Sequence, residues 1–192
     1  MRLILWVGLM MGLSSATSAQ QQEAPAQIRF SKDAAYKVDA TSVDIIVQDQ
    51  TPRAYPQVGH LASTTFEQAL RAWAARRFQL TGNSVNRLRI TLREGRITEK
   101  ILPIQKGVRG WFKKEEAVAY DGALSFEVAI IDANGTVVSK AEAAATVGRS
   151  LTEGATRPDK EAAWLEMIST AFENTDRELS ARLKESMSRY IN

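Results

Sequence analysis

Cysteine is absent from this chain of 192 residues, and histidine occurs once, at position 60. No disulfide can form, so packing alone must stabilise the folded state. A zinc site needs three or four histidine, cysteine or carboxylate ligands, and the composition argues against one. A serine-histidine-aspartate relay would have to use His60, which has no nucleophile motif around it. We therefore predict no metal site, no cofactor and no catalytic residue.

Long hydrophobic runs are also missing, apart from a short one near the N-terminus. Residues 1–19 read MRLILWVGLMMGLSSATSA, with one arginine, an apolar run and a small-residue end. The apolar run is shorter than the roughly 20 residues that span a bilayer as a helix. We predict a cleavable signal peptide over 1–19 rather than a membrane anchor, a flexible leader over 20–38 and one domain over 39–192. The expected product is soluble and periplasmic, without a transmembrane segment.

A strong excess of one charge is lacking too. The formal net charge is +3, which is modest, and export makes nucleic acid an unexpected partner. A mild positive charge suits an anionic envelope surface better. Gly107 and Gly110 lack the following Lys-Ser/Thr that gives a phosphate-binding loop its function.

The chain does contain clear periodic patterns. Alternating apolar residues predict four strands, in SVDIIVQ, NRLRITLRE with its continuation, YDGALSFEVAIID and TVVSKAEAAATVGRS. We expect a bulge or bend at Gly95, where the apolar series changes parity, and a hairpin turn at Asn134-Gly135. Apolar residues spaced by three and four predict a helix in TTFEQALRAWAARRFQL, with Thr64 and Glu67 as its capping box. A second helix of about 33 residues begins at Pro158.

The element order is therefore β-α-β-β-β-α. Each strand has one apolar face and each helix one apolar stripe. The sequence predicts an α+β fold of two layers, with a largely antiparallel sheet of about four strands and both helices packed on one face.

Three arginines form the first candidate site. Arg87, Arg89 and Arg93 project from one side of a strand, opposite its apolar residues. A charged outer face is ordinary solvation in many proteins. The functional alternative is an anion-binding surface, because the guanidinium fork suits phosphate and carboxylate groups.

A loop supplies the second candidate site. The segment from Pro103 to Ala117 is about 15 residues long, at the upper end of ordinary loop lengths. Two aromatics lie within it among basic residues, and the candidate binding residues are Arg109, Trp111, Phe112, Lys113 and Lys114. The aromatics either cover an end of the core or form an exposed tip that meets a lipid interface or a partner's pocket.

A hydrolase acting through paired carboxylates is the main alternative function. The adjacent Glu115 and Glu116 would point to opposite sides of an extended segment. Lys113 and Lys114 would lower the pKa of a general acid there rather than raise it. We therefore predict that the protein is not an enzyme.

The order of elements, with FEQALRAWAARRF and YDGALSFEVAIID as its best local pieces, resembles the small envelope lipoproteins of Gram-negative bacteria. These include the auxiliary lipoproteins of lipid-transporting ABC systems and the lipopolysaccharide-assembly lipoprotein. This chain lacks the cysteine that such proteins lipidate. The resemblance implies a non-catalytic periplasmic accessory role, binding a partner protein or an anionic lipid or glycan. A structural subunit of an envelope assembly is a further alternative.

Overall fold

The computed structural model describes residues 28–30, 33–103 and 116–191. The predicted signal peptide, most of the predicted leader and the five candidate residues of the loop lie outside these ranges. In chain order, the described strands and helices are β1 (Tyr36–Val38), β2 (Ser42–Val47), a 3-10 turn (Gly59–Leu61), α1 (Phe66–Arg77), β3 (Phe78–Leu80), β4 (Arg87–Ile101), β5 (Glu116–Ile131), β6 (Val137–Thr152) and α2 (Arg157–Ser186).

The main sheet has four strands in the order β2-β4-β5-β6. β2 runs parallel to β4, while β4, β5 and β6 are successively antiparallel. Tight pairing along 16 residues of β5 and β6 is possible because Gly135, with φ of 83°, turns the chain between them. The predicted α+β fold with a largely antiparallel sheet is confirmed.

Both helices pack on the same face of this sheet. Alternation along β4 and β5 directs their apolar side chains to that face, where they are fully buried. Phe126 on β5 is the meeting point, since its ring centroid lies 4.8 Å from that of Trp73 on α1 and 6.1 Å from that of Phe172 on α2. We call this face of the sheet the inner face and the opposite one the outer face.

The change of parity along β4 is present, although its site differs from our prediction. The register with β5 shifts between Leu92 and Glu94, which makes Arg93 the bulged residue. Gly95 lies just beyond the bulge and faces α1. A Cβ atom there would lie 2.7 Å from the Cβ of Phe66. The glycine therefore permits close approach of the helix rather than forming the bulge.

The start and end of α1 differ from the prediction. Thr65 is the N-cap, and the capping box pairs it with Gln68 rather than pairing Thr64 with Glu67. Both pairs have the required spacing, and the observed one turns Phe66 into the core. The helix ends at Arg77 instead of continuing to Leu80, because residues 78–80 pair with β1 as a short parallel ladder.

α2 is one continuous helix of 30 residues, slightly shorter than predicted. Pro158 lies in its first turn, as expected, and Thr156 caps it together with Asp159. The helix follows β6 along its whole length: Arg149 on β6 forms an ion pair with Glu166 near one end, and the Ser139 hydroxyl donates to the Ser186 carbonyl at the other. Small side chains on β6, including buried Ala141 and Ala143, allow this contact.

Part of the segment that we assigned to the leader belongs to the folded unit. Residues 36–38 form β1, and the ring of Phe30 packs edge-on against Phe172 on α2. The Arg29 amide also donates to the Ser169 hydroxyl, 3.0 Å away. Within the described ranges, no helix combines the length and apolar character needed to span a bilayer.

Candidate functional site

The outer face of the sheet carries the predicted arginines. Arg87 and Arg89 alternate with Leu88 and Ile90, which are fully buried on the inner face. Arg93 continues this alternation directly after Leu92, so its side chain also lies on the outer side, where it reaches Glu127. The structure therefore brings the three arginines to one surface, which neither helix covers.

Arg87 has a carboxylate partner on the neighbouring strand. Its Nη1 lies 3.2 Å from an Asp44 carboxylate oxygen, and both side chains are more than one-third exposed. Exposed ion pairs of this kind contribute roughly 0–1 kcal/mol. The pair mainly neutralises the charge of Arg87 at this position.

Arg93 takes part in a larger network. It donates to Gln48, and its Nη2 lies 3.1 Å from a Glu127 carboxylate oxygen. Lys140 on β6 lies 3.4 Å from the same oxygen and 2.9 Å from Glu142. The side chain of Glu127 is only 10% exposed, so its charge depends on these two cations. The hydrogen bond between Lys140 and Glu142 raises the pKa of Lys140 and lowers the pKa of Glu142.

Arg89 differs from its two neighbours. Asp44 is its register partner across the β2–β4 ladder, but the Asp44 carboxylate bonds Arg87 instead. Among the described residues, Arg89 has no carboxylate partner, and its Nε is buried without a hydrogen-bond acceptor. The other cross-strand neighbour is Ala129, which is uncharged. The positive charge of Arg89 is therefore the least compensated on this face.

The outer face also contains charged residues that our sequence analysis did not include. They are Asp44, Glu127, Lys140 and Glu142. The available signal was strand parity, because Glu127 alternates with the buried Phe126 and Val128. Which charges would meet across strands depends on the register, which one strand pattern does not provide.

The loop candidates Arg109, Trp111, Phe112, Lys113 and Lys114 lie outside the described residues, so their role stays a prediction. The strands that flank the loop are described, and β4 and β5 remain paired as far as Ile101 and Val118. Arg87 lies 14 residues before Ile101, which is about 45 Å along an extended strand. The arginine surface and the base of the loop are therefore at separate ends of β4.

A buried ion pair joins the two helices. Arg77 at the end of α1 donates from Nε to Asp176 on α2 over 3.0 Å, and both side chains are at most 7% exposed. The guanidinium also bonds Ser180 and the Ala34 carbonyl, and it lies 4.4 Å from the ring centroid of Tyr36. Burial raises the pKa of Asp176, against the effect of Arg77. All of these contacts tie elements together, which indicates a structural role.

The two carboxylates that share a pocket with His60 are engaged by neighbouring side chains. His60 lines a pocket of about 110 Å³ together with Asp49 and Glu67. Glu67 forms an ion pair with Arg71, 2.9 Å away. Asp49 accepts hydrogen bonds from the amide and the hydroxyl of Thr51. Over the described ranges, no group of three or more histidine, cysteine, aspartate or glutamate residues could hold a metal ion.

Comparison with known proteins gives similarity at the level of structure. No protein-family model matches the chain, and no curated protein sequence matches it. The structure is similar to the rare lipoprotein B from Shewanella oneidensis, with 12% identity, 76% of this chain and 98% of that chain covered, and a TM-score of 0.41. It is also similar to a minor lipoprotein from Acinetobacter baumannii, with 13% identity, coverage of 76% and 92%, and a TM-score of 0.39. Both neighbours are bacterial lipoproteins.

Proposed function

We propose that this protein is a non-catalytic accessory protein of the bacterial cell envelope, which binds an anionic lipid headgroup or glycan through the outer face of its sheet. The observation that supports the proposal is the guanidinium of Arg89, which no described carboxylate neutralises. The periplasmic location of the protein rests on the predicted signal peptide over residues 1–19.

Arg89 suits a phosphate or carboxylate ligand for two reasons. First, its Nε has no hydrogen-bond acceptor among the described residues, and no described carboxylate neutralises its charge, so an anionic group that reaches the guanidinium meets no competing carboxylate. Second, Arg87 and Arg93 flank it with further donors, although carboxylates already engage them. The guanidinium presents several N–H groups in a fixed plane, which matches two oxygens of one anionic group.

Vesicle binding tests the proposal. The full chain is sedimented with vesicles of phosphatidylcholine alone and with vesicles that also contain phosphatidylglycerol. We expect binding only to the anionic vesicles, with a decrease at high salt because the contact is a partly exposed charge. Arg89→Gln should remove most of this salt-sensitive binding.

Arg71→Gln is the matched control. This variant also removes one positive charge, but Arg71 lies on α1, where it pairs with Glu67. It should bind anionic vesicles as the parent chain does. An equal loss in both variants would mean that net charge, and not the outer face, determines binding. Unchanged binding by Arg89→Gln would leave the outer face as an ordinary solvated surface. A matched measurement with a soluble anionic glycan distinguishes the two ligand sources.

A further inference from the structure

Strand β6 forms a long free edge of the main sheet. It is the last strand in the order β2-β4-β5-β6, and it pairs with β5 on one side over most of its 16 residues. Strand geometry turns the N–H and C=O groups of alternate residues away from β5. In the described part of the chain, no backbone group bonds to these outward groups.

The central part of this edge lacks the usual protection against pairing with another strand. Natural edge strands carry charges, prolines or bulges that block addition of a further strand. Residues 143–148 of β6 read AAATVG, without charge or proline. The register between β5 and β6 shifts only near the two ends of the ladder, beside Glu116 and Ile130. The edge from 143 to 148 is therefore regular, and no backbone group of the described chain pairs with it.

One outward amide of this edge already has an acceptor within the chain. The Ala144 N–H donates to a carboxylate oxygen of Glu178 on α2, over a long distance of 3.4 Å. That oxygen takes the place that the carbonyl of an added strand would occupy. Arg182, one turn further along α2, holds Glu178 in an ion pair. Because the bond is long and the side chain is 38% exposed, an incoming carbonyl can replace it.

We propose that the β6 edge accepts one extended strand of a partner protein, with small side chains at alternate positions. The main-chain groups of residues 142–148 would supply the hydrogen bonds, as in other cases of strand addition. α2 borders the edge on the inner side, so side chains on that side of the added strand must be small. A groove of about 190 Å³ beside Ala144 leaves room for larger ones, and it is lined by residues of the sheet and of α2, including Arg93, Ser125, Glu178 and Arg182.

A second copy of this chain fits the edge poorly. Antiparallel pairing of two β6 edges about a two-fold axis would place both α2 helices on the same face. Paired strands are about 4.8 Å apart, whereas packed helices need about 8–10 Å between their axes. α2 lies directly along β6, as the contact between Glu178 and Ala144 shows. A strand that brings no helix avoids this clash.

A labelled peptide tests the proposal. The probe is a synthetic peptide of about ten residues, the upper range of strand length, with alternating alanine and threonine and a lysine at each end. Its binding to the full chain is measured by fluorescence anisotropy. Thr146→Pro removes an outward N–H without touching the β5 ladder, and we expect at least a tenfold loss of affinity. Thr146→Val keeps the N–H and should bind as the parent chain does.

Glu178→Gln should have the opposite effect and raise peptide affinity. A glutamine at this position is a weaker acceptor than the carboxylate, so the Ala144 amide would be more available to the peptide. The proposal is overturned if the parent chain does not bind the peptide, or if Thr146→Pro binds it equally well. Sedimentation velocity of the parent chain is measured in parallel. A dimer that Thr146→Pro abolishes would assign the edge to a second copy instead. Vesicle binding should be unchanged in Thr146→Pro, which separates this proposal from that of the outer face.

Discussion

The inner and outer faces of the β4–β5 pair come from the same two stretches of sequence and are held together by different interactions. On the inner face, Leu92 lies across from Phe126, and both are buried against the helices. On the outer face, Thr91 lies across from Glu127, and the long side chains around them are charged. Each strand thus contributes to an apolar layer and to a polar one, one residue apart.

The two faces also differ in what a substitution would change. Apolar burial is worth about 25 cal/mol per Å², so the inner face provides most of the stabilisation. Ion pairs at the surface contribute little, and the outer face is therefore free to serve binding. Glu127 is the exception, because it is a charged residue of the outer face that is nearly buried. Substitutions that compare matched positions on the two faces can test this division.

The largest effect is expected from Phe126→Ala. Phe126 contacts both helices through Trp73 and Phe172, so its removal leaves a cavity between the two layers. We expect the free energy of unfolding to fall by about 3–5 kcal/mol. Ser125→Ala is the control on the next residue, which faces outward, and should change it by at most about 0.5 kcal/mol. Urea denaturation measures both, and equal losses would contradict the comparison.

Gly95→Ala should have the next largest effect. The added methyl group would lie 2.7 Å from the Phe66 Cβ, so α1 must move away from the sheet. We expect a loss of about 1–3 kcal/mol from overpacking. Gly148→Ala is the matched control, since the nearest atom to its added Cβ is 3.9 Å away. Thermal unfolding of the two variants should separate them clearly, and a stable Gly95→Ala would show that α1 is not closely packed there.

The smallest difference concerns two arginines of the outer face. Arg93→Gln removes one of the two cations that bond the nearly buried Glu127, which should cost about 0.5–1.5 kcal/mol because Lys140 remains. Arg89→Gln removes a guanidinium without a carboxylate partner among the described residues, and should change stability by at most about 0.5 kcal/mol. Denaturation curves of the two single variants test this order. A larger loss from Arg89→Gln would mean that the Arg89 side chain is mainly structural.

Periodicity in the sequence was sufficient to identify most of the elements. The β5 alternation around Phe126 and the apolar stripe after Pro158 are strong patterns, because a face that is buried along a whole element must repeat with the element's own period. Element ends were less accurate. Thr64 and Thr65 both satisfy a capping box, and only the packing of Phe66 distinguishes them.

Short pairings were not predictable in the same way. Residues 36–38 and 78–80 are three-residue strands, too short to show a period, and they exist because the chain brings them side by side. The candidate site had the same dependence on tertiary structure. Strand parity placed Arg87, Arg89 and Arg93 on one face, but it did not show which of them had a carboxylate nearby.

The order of the four long strands and the two helices, the apolar face of each of these strands and the absence of disulfides could be read from the sequence, because they follow from residue type and local spacing. The strand order, the ion pair of Asp44 with Arg87 rather than with its register partner Arg89, and the edge position of β6 were set by the tertiary structure. These properties join residues far apart in the chain. Their energies depend on distances across strands, which no local pattern contains.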